Sequence, residues 1–298
     1  VGRRASCCPL RSEKQLSERG PETKEADRMD TANRDAYAPE PARGGLGLKD
    51  DLVMALRFFS RLPTGDTPHE KPDLGRIAMA LPLASVVMGV GPVLLLAGVW
   101  LGLPGYFAAA LSVAAMALVG GGMMEDSLAD AADGLFGGST PERRLEILKD
   151  SRHGTYGVAA LCLFLMLRVT AIGSVAALNP LAAAGIWLAA NIAGRSGALW
   201  LAVALPPARS DGASASAGIL PASRFGVGAA LALLLVFVIG APASSLLGVV
   251  AAALLVGLVV LGWTAICKNL VGGQTGDLIG AAAGLGEIAA LTALLVFA

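Results

Sequence analysis

The chain has 298 residues, of which 55% are hydrophobic and only 15% are charged, and its mean hydropathy is +0.65. This composition excludes an ordinary soluble domain and is typical of a membrane protein. The 23 basic and 23 acidic residues cancel, which excludes the net positive field expected of a nucleic-acid-binding protein.

The N-terminal segment differs in composition from the rest of the chain. Residues 1–51 contain ten basic and ten acidic residues and almost no apolar periodicity, so they cannot bury enough surface to offset the entropy of an ordered chain. We predict a disordered tail over 1–51, in which Met29 offers an alternative start site, and a membrane-embedded domain over 52–298. At the start of that domain, residues 56–63 have the pattern of a short amphipathic helix in the membrane interface.

Seven apolar stretches follow, each close to the roughly 20 residues that a helix needs to cross about 30 Å of hydrocarbon. They cover residues 77–101, 104–124, 155–178, 181–204, 225–241, 244–266 and 277–298. The sequence therefore predicts an all-α fold, a polytopic membrane helix bundle with about seven transmembrane helices, and between roughly six and eight.

The long polar connections all fall on one side of this predicted bundle. They are the N-terminal segment and residues 125–154, 205–224 and 267–277, and they carry nearly all Lys and Arg side chains outside the apolar stretches. By the positive-inside rule, this side faces the cytoplasm. We therefore expect a multi-pass protein whose active site, if built from these connections, faces the cytoplasm.

Three aspartates lie at helical spacing in the connection 125–154. Asp126, Asp130 and Asp133 occupy positions i, i+4 and i+7, which places them on one stripe of a helix. The intervening Ala and Leu residues offer no counter-charge, so a divalent cation would relieve the repulsion, and oxygen ligands suit Mg²⁺ or Mn²⁺. The alternative is a solvated helix end without a metal. Because Mg²⁺ commonly joins carboxylates to substrate phosphates, the stripe indicates phosphate chemistry at a membrane surface.

Basic side chains follow this stripe. Residues 141–149 have the pattern of a short amphipathic helix. The next segment, 149–157, contains Lys149 and Arg152, which would bind phosphate oxygens, and Asp150, which would join the metal shell. The alternative is a capped helix start with interfacial anchors.

The last polar connection is also rich in groups that could contact a phosphate. Thr275 would supply a hydroxyl, and Asp277 would add a carboxylate beside the aspartate stripe. The alternative is that the two preceding glycines form a turn and that Asp277 caps the final helix.

Charged side chains within the apolar stretches need partners, because an Arg facing lipid costs several kcal/mol. Glu287 is predicted to pair with a residue such as Arg168. Arg195, on the fourth stretch, would either pair with Asp126 or Asp130 or reach a substrate phosphate.

Several motifs, taken together, resemble the cobalamin (5′-phosphate) synthase family, also called adenosylcobinamide-GDP ribazoletransferases. They are F-F-S-R-L-P from Phe58, D-x3-D-x2-D-G-L-F-G-G from Asp126, P-E-R-R-L-E-I-L-K-D-S-R-x-G-T-Y-G from Pro141 and G-G-Q-T-G-D-x2-G-A from Gly272. The resemblance covers residues 50–298.

The resemblance implies an enzyme of the bacterial inner membrane in a late step of vitamin B12 biosynthesis. It would join adenosylcobinamide-GDP to α-ribazole or its 5′-phosphate and release GMP, with Mg²⁺ as cofactor. Its partners would be these small molecules and the lipid bilayer, without nucleic acid, and the chain could also form a homo-oligomer.

The resemblance also implies which residues form the site. The family's acidic motif falls on Asp126, Asp130 and Asp133 as catalytic and metal-binding residues, its basic block on Arg143, Lys149, Asp150 and Arg152, and its late motif on Thr275 and Asp277. His153 and Arg195 complete the predicted substrate-binding set by their positions.

The chain departs from the family pattern around the first aspartate. The family usually has a His two residues before it and a Gly directly after it, where this chain has Met124 and Ser127. If that His serves as a base, its role would pass to an aspartate, to His153 or to no residue. Glu125 would compensate by adding a carboxylate.

Two other functions are compatible with parts of the pattern. A CDP-alcohol phosphotransferase also uses an Asp-rich stripe, but its signature begins D-G-x2-A-R, whereas Asp126 is followed by Ser127. A cation permease would need acids lining a route through the bilayer, whereas most acids here lie on one side.

Overall fold

The computed structural model describes residues 47–65, 72–150, 152–209 and 219–298, so the predicted tail lies outside the described residues up to residue 46. Within these ranges the chain is predominantly helical. The helices are α1 (Leu48–Phe59), α2 (Leu74–Leu94, continued by a 3-10 helix over Leu95–Leu101), α3 (Gly105–Gly120), α4 (Met123–Gly137), α5 (Pro141–Ile147), α6 (Thr155–Ala176), α7 (Pro180–Ala198), α8 (Trp200–Ala204), α9 (Ala222–Ala243), α10 (Leu246–Val271) and α11 (Gly276–Val296).

Six of these helical segments are long and apolar enough to cross a membrane. They are Leu74–Leu101, Thr155–Ala176, Pro180–Ala204, Ala222–Ala243, Leu246–Val271 and Gly276–Val296. Helices α3 and α4 meet the same condition only as a pair, and they are bent by 86° at the break between them. The described residues thus contain six spans, or seven if this pair is one broken span. The predicted all-α, polytopic membrane bundle is confirmed.

The helix that precedes the first span begins earlier than predicted. Helix α1 starts at Leu48 and ends at Phe59, whereas the sequence pattern placed it over 56–63. Its first turn contains Asp50 and Asp51, which the composition assigns to the predicted disordered tail. One of these acids, Asp51, pairs with Arg76 of α2 at 2.5 Å, so this turn belongs to the folded domain.

Helices α7 and α11 lie at the centre of the bundle and are its most buried spans. A Cβ atom on Gly194 would lie 2.5 Å from the backbone nitrogen of Glu287, and one on Gly286 would lie 3.0 Å from the Cα atom of Gly194. In a bilayer, apolar side chains gain little by leaving lipid, and small residues let two helix backbones pack closely instead. These two glycines therefore bring Glu287 against α7.

Glu287 is the centre of a buried polar network. Its Oε1 atom accepts hydrogen bonds from Arg168 Nε of α6 (2.9 Å) and Trp187 Nε1 of α7 (2.8 Å), and its Oε2 atom accepts one from Asn191 Nδ2 (3.3 Å). Arg168 Nη1 also donates to Glu125 of α4 (2.8 Å). The predicted pairing of Arg168 with Glu287 is confirmed. The expectation that Glu125 adds a carboxylate to the aspartate stripe is wrong, because Arg168 binds it into this network.

Candidate functional site

A sharp turn between α3 and α4 sets the direction of the helix that carries the aspartates. Helix α3 ends at Gly120, and Gly121 and Gly122 follow with φ values of 64° and 70°. Glycine adopts this left-handed region without the steric penalty that a Cβ atom imposes, so two glycines in sequence permit the turn. The predicted helical stripe is confirmed, since all three aspartates lie on α4.

Asp126 and Asp130 lie beside His153, which is two residues before α6. His153 Nε2 is 3.9 Å from Asp126 Oδ1, and His153 Nδ1 is 3.7 Å from Asp130 Oδ1. One ligand atom from each of the three residues lies within 4.8 Å of the others. Two carboxylates and an imidazole at this spacing could hold a divalent cation. The structure therefore brings His153 to the predicted aspartate site.

Asp277, in the first turn of α11, is the third carboxylate near this group. The negative charges of Asp126 and Asp277 both act on Asp130, so the three carboxylates repel one another. Thr275 caps α11, since its hydroxyl oxygen accepts a hydrogen bond from the Leu278 amide (3.3 Å). The alternative in which Asp277 caps this helix is therefore wrong, and the Asp277 carboxylate is turned toward the aspartates of α4.

Asp133 lies on the same stripe but makes different contacts. Its Oδ2 atom accepts a hydrogen bond from the Gly154 amide (2.6 Å), and its Oδ1 atom accepts one from the Gly157 amide (2.9 Å). These are amides of the first turn of α6, which α-helices leave without internal partners. Asp133 is only 7% exposed and joins α6 to α4. Its role as a metal ligand stays a prediction.

Replacing Gly157 with Ala is expected to destabilise the protein by about 1–3 kcal/mol, because the added Cβ would press on Asp133 and would lie 2.9 Å from the Ala129 carbonyl oxygen. Gly226→Ala is the matched control, since a Cβ atom there meets no atom within 4 Å. Ala is also the better helix former, so this control should be neutral or slightly stabilising. Denaturant-induced unfolding in detergent measures both, and equal stability of the two variants would contradict the assigned cap.

The predicted phosphate-binding residues lie in the connection between α4 and α6. Arg143 Nη1 is 2.5 Å from Glu146 Oε2 on the exposed surface. Arg152 forms two side-chain hydrogen bonds to Asp150 (2.9 and 2.6 Å), and this guanidinium lowers the pKa of the Asp150 carboxyl to about 2. Lys149 is exposed in the same connection. The substrate-binding roles of these residues stay predictions.

Two basic residues that the sequence analysis did not assign to the site support it. Arg209 Nη2 lies 3.4 Å from Asp277 Oδ2. Arg144 donates through Nε to the Leu135 carbonyl (3.1 Å) and through Nη1 to the Leu270 carbonyl (3.0 Å), which joins α5 to α4 and α10. The feature of the sequence that could have indicated a role at the site is that both residues lie in the basic connections.

Arg195 of α7 is buried and lies apart from the aspartate stripe. Its Nη1 atom faces the sulfur of Met88 (3.5 Å), and its Nη2 atom faces that of Met116 (3.9 Å). Of the two alternatives for Arg195, pairing with Asp126 or Asp130 is wrong, because its guanidinium faces these two sulfur atoms instead. The side chain also lines a mostly apolar cavity of about 260 Å³, whose wall is formed by α1, α2, α3, α4, α7 and α11.

The comparison with protein families assigns most of the chain to one family. The sequence profile of cobalamin-5-phosphate synthase matches residues 51–295, which is most of the chain and includes every motif above. The chain belongs to this family. The resemblance inferred from the motifs is therefore confirmed, and neither a CDP-alcohol phosphotransferase nor a cation permease is favoured.

Curated relatives of this synthase family align along nearly their whole length. The protein of Xanthobacter autotrophicus is 43% identical over 264 residues, covering 84% of this chain and 97% of the relative. That of Azorhizobium caulinodans is 42% identical over 256 residues, covering 83% and 96%. That of Bradyrhizobium diazoefficiens is 39% identical over 249 residues, covering 83% and 94%. All three are named adenosylcobinamide-GDP ribazoletransferase. No solved structure matches the chain.

Proposed function

We propose that this family member is an adenosylcobinamide-GDP ribazoletransferase, the activity named for its curated relatives. The single structural observation that supports this activity is the grouping of Asp126, Asp130 and His153 within 4.8 Å. Asp126 and Asp130 belong to the acidic motif of the family resemblance, and His153 occupies the unspecified position of the motif that begins at Pro141. Their chemistry suits a reaction at a diphosphate.

The reaction would join adenosylcobinamide-GDP to α-ribazole or its 5′-phosphate. A ribazole hydroxyl oxygen bonds to the phosphorus on the cobinamide side of the diphosphate. The bond from that phosphorus to the bridging oxygen breaks, and GMP leaves with the oxygen. The hydroxyl proton must pass to a base, for which Asp130 and His153 are the candidates because they face each other at the centre of the group.

The residues present fit Mg²⁺, and Asp126 and Asp130 would hold it. Carboxylate oxygens are the hard ligands that Mg²⁺ prefers, and the mutual repulsion with Asp277 favours a cation among them. When bound, Mg²⁺ supplies positive charge against the diphosphate and the leaving GMP. Because imidazole suits other metals better, we assign His153 to proton transfer rather than to Mg²⁺. Asp133 would support the site through its bonds to α6.

We also propose that the site faces the cytoplasm at the inner membrane. The site is built from α4, the connection that follows it and the start of α11. The connection after α4 contains Arg143, Lys149 and Arg152, and Arg209, which lies between α8 and α9, contacts Asp277 of α11. Basic connections are retained on the cytoplasmic side.

The proposed activity is tested by measuring GMP release from the full chain in lipid bilayers. With both substrates and Mg²⁺, we expect GMP and the cobalamin product in equal amounts, and neither substrate alone should give GMP. Chelation of the metal should stop the reaction. CDP-diacylglycerol with an alcohol acceptor should give no CMP. Absence of GMP with both substrates, or its release without the acceptor, would contradict the proposal.

A further inference from the structure

Arg195 has hydrogen-bonding capacity that the described residues do not use. The residue is 6% exposed, and its Nε atom has no hydrogen-bond partner among the residues that the structure describes. Its two terminal nitrogens face the sulfur atoms of Met88 and Met116 at 3.5 and 3.9 Å. A thioether is a weak acceptor, whereas a guanidinium carries five N–H donors and a full positive charge. Because unsatisfied charged donors are costly to bury, this position calls for an oxygen acceptor.

The other Arg buried in the bundle shows the contrast. Arg168 donates to Glu125 and Glu287 at 2.8 and 2.9 Å, so carboxylates of the chain balance its charge at contact distance. Arg195 has no such contact within the described ranges. Its burial is therefore not explained by pairing with any carboxylate among the described residues.

The size and lining of the cavity beside Arg195 limit what kind of ligand could bind there. It measures about 260 Å³, and besides Arg195 its wall is mostly apolar, with side chains such as Phe59 and Ile279 and only Glu125 and Ser127 adding polar groups. Most pockets for small molecules measure about 300–1,000 Å³. A ligand here would need a small apolar body, such as a short chain or a compact ring system, and one group that offers anionic oxygen.

We propose that this cavity binds an amphipathic anion, with its apolar part among these side chains and a phosphate or carboxylate oxygen on Arg195. The cavity wall includes Gly276, which precedes Asp277, and Glu125, which precedes Asp126. The bound molecule would therefore lie beside the candidate metal site. Two sources have this chemistry: an anionic membrane lipid, and the phosphorylated form of the aromatic nucleoside acceptor. The second source alone rests on the proposed function.

The experiment uses octyl phosphate as the probe and octanol as its uncharged counterpart. The full chain is placed in nanodiscs of phosphatidylcholine, and binding is measured by calorimetry against empty nanodiscs, which report partitioning into lipid. We expect saturable binding of octyl phosphate and at least about tenfold weaker binding of octanol, because octanol lacks the charged oxygens for Arg195.

Two variants change the cavity in different ways. Arg195→Gln removes the charge, and Gly120→Leu fills the space, since Gly120 lines the cavity and a Cβ atom there meets no atom within 4 Å. Each should weaken octyl phosphate binding at least about tenfold. The control is Gly262→Leu, which also has open space at its Cβ but is exposed on α10, and it should bind like the unchanged chain. Unchanged binding in either cavity variant overturns the proposal.

Competition then identifies the source of the ligand. α-Ribazole 5′-phosphate is added from solution in one arm, and phosphatidic acid is included in the nanodisc in the other. Displacement of octyl phosphate by the nucleoside phosphate identifies the acceptor, and displacement by phosphatidic acid identifies a lipid. Because adenosylcobinamide-GDP is absent, failure of this binding and failure of the transferase assay are separate results.

Discussion

Replacing Asp130 with Asn is expected to lower the rate of GMP release at least about a hundredfold. The substitution keeps the shape of the side chain and removes the charge that would attract Mg²⁺ or accept a proton. Residues that merely support a metal ligand typically change affinity or activity by about 10–100-fold, so a ligand or base itself should have a larger effect. The measurement is the initial rate of GMP release by the purified chain in lipid with both substrates.

A matched acidic residue separates this effect from a general change in surface charge. Glu142 is exposed in the first turn of α5, in the connection that follows α4, and Glu142→Gln should leave the rate within about twofold. Glu142→Gln should unfold at the same denaturant concentration as the unchanged chain, and Asp130→Asn at the same or a higher concentration, because it relieves the repulsion from Asp126 and Asp277. GMP release by Asp130→Asn within tenfold of the original, which corresponds to about 1.4 kcal/mol in the barrier, would contradict the assigned role.

For the aspartate stripe, one part of the site could be predicted from the sequence and another part could not. Spacing of i, i+4 and i+7 correctly placed three aspartates on one helix, because helical periodicity depends only on the local chain. The spacing did not predict that Asp133 binds backbone amides of α6 while Asp126 and Asp130 face His153. That difference depends on where the start of α6 packs, and such a contact between distant segments has no periodic signal.

Among the charged residues within the bundle, too, the sequence predicted some contacts and not others. The pairing of Arg168 with Glu287 could be predicted from the sequence, because two opposite charges within apolar helices have few other partners. The sequence could not show that Arg168 also pairs with Glu125, or that no carboxylate in the part of the chain that the structure describes contacts Arg195. Those outcomes depend on the rotation and depth of each helix, which follow from packing such as the contact of Gly194 with α11.

Replacing Arg168 with Met is expected to destabilise the bundle by about 3–5 kcal/mol. The substitution leaves the carboxylates of Glu125 and Glu287 without their cation, and Glu287 is completely buried. Trp187 and Asn191 would still donate to Glu287, but neither carries a positive charge. The free energy of unfolding in mixed detergent micelles measures the loss.

An exposed ion pair in the same chain provides the control for this prediction. Arg143→Met removes the partner of Glu146 on the surface, where such pairs contribute about 0–1 kcal/mol. The double variant Arg168→Met/Glu287→Leu should lose less free energy of unfolding than the two single variants lose together, because Arg168→Met leaves Glu287 buried without its cation and Glu287→Leu removes that charge. If Arg168→Met costs no more than Arg143→Met, the buried network does not hold α4, α6 and α11 together. The position of the aspartates of α4 must then be set by other contacts.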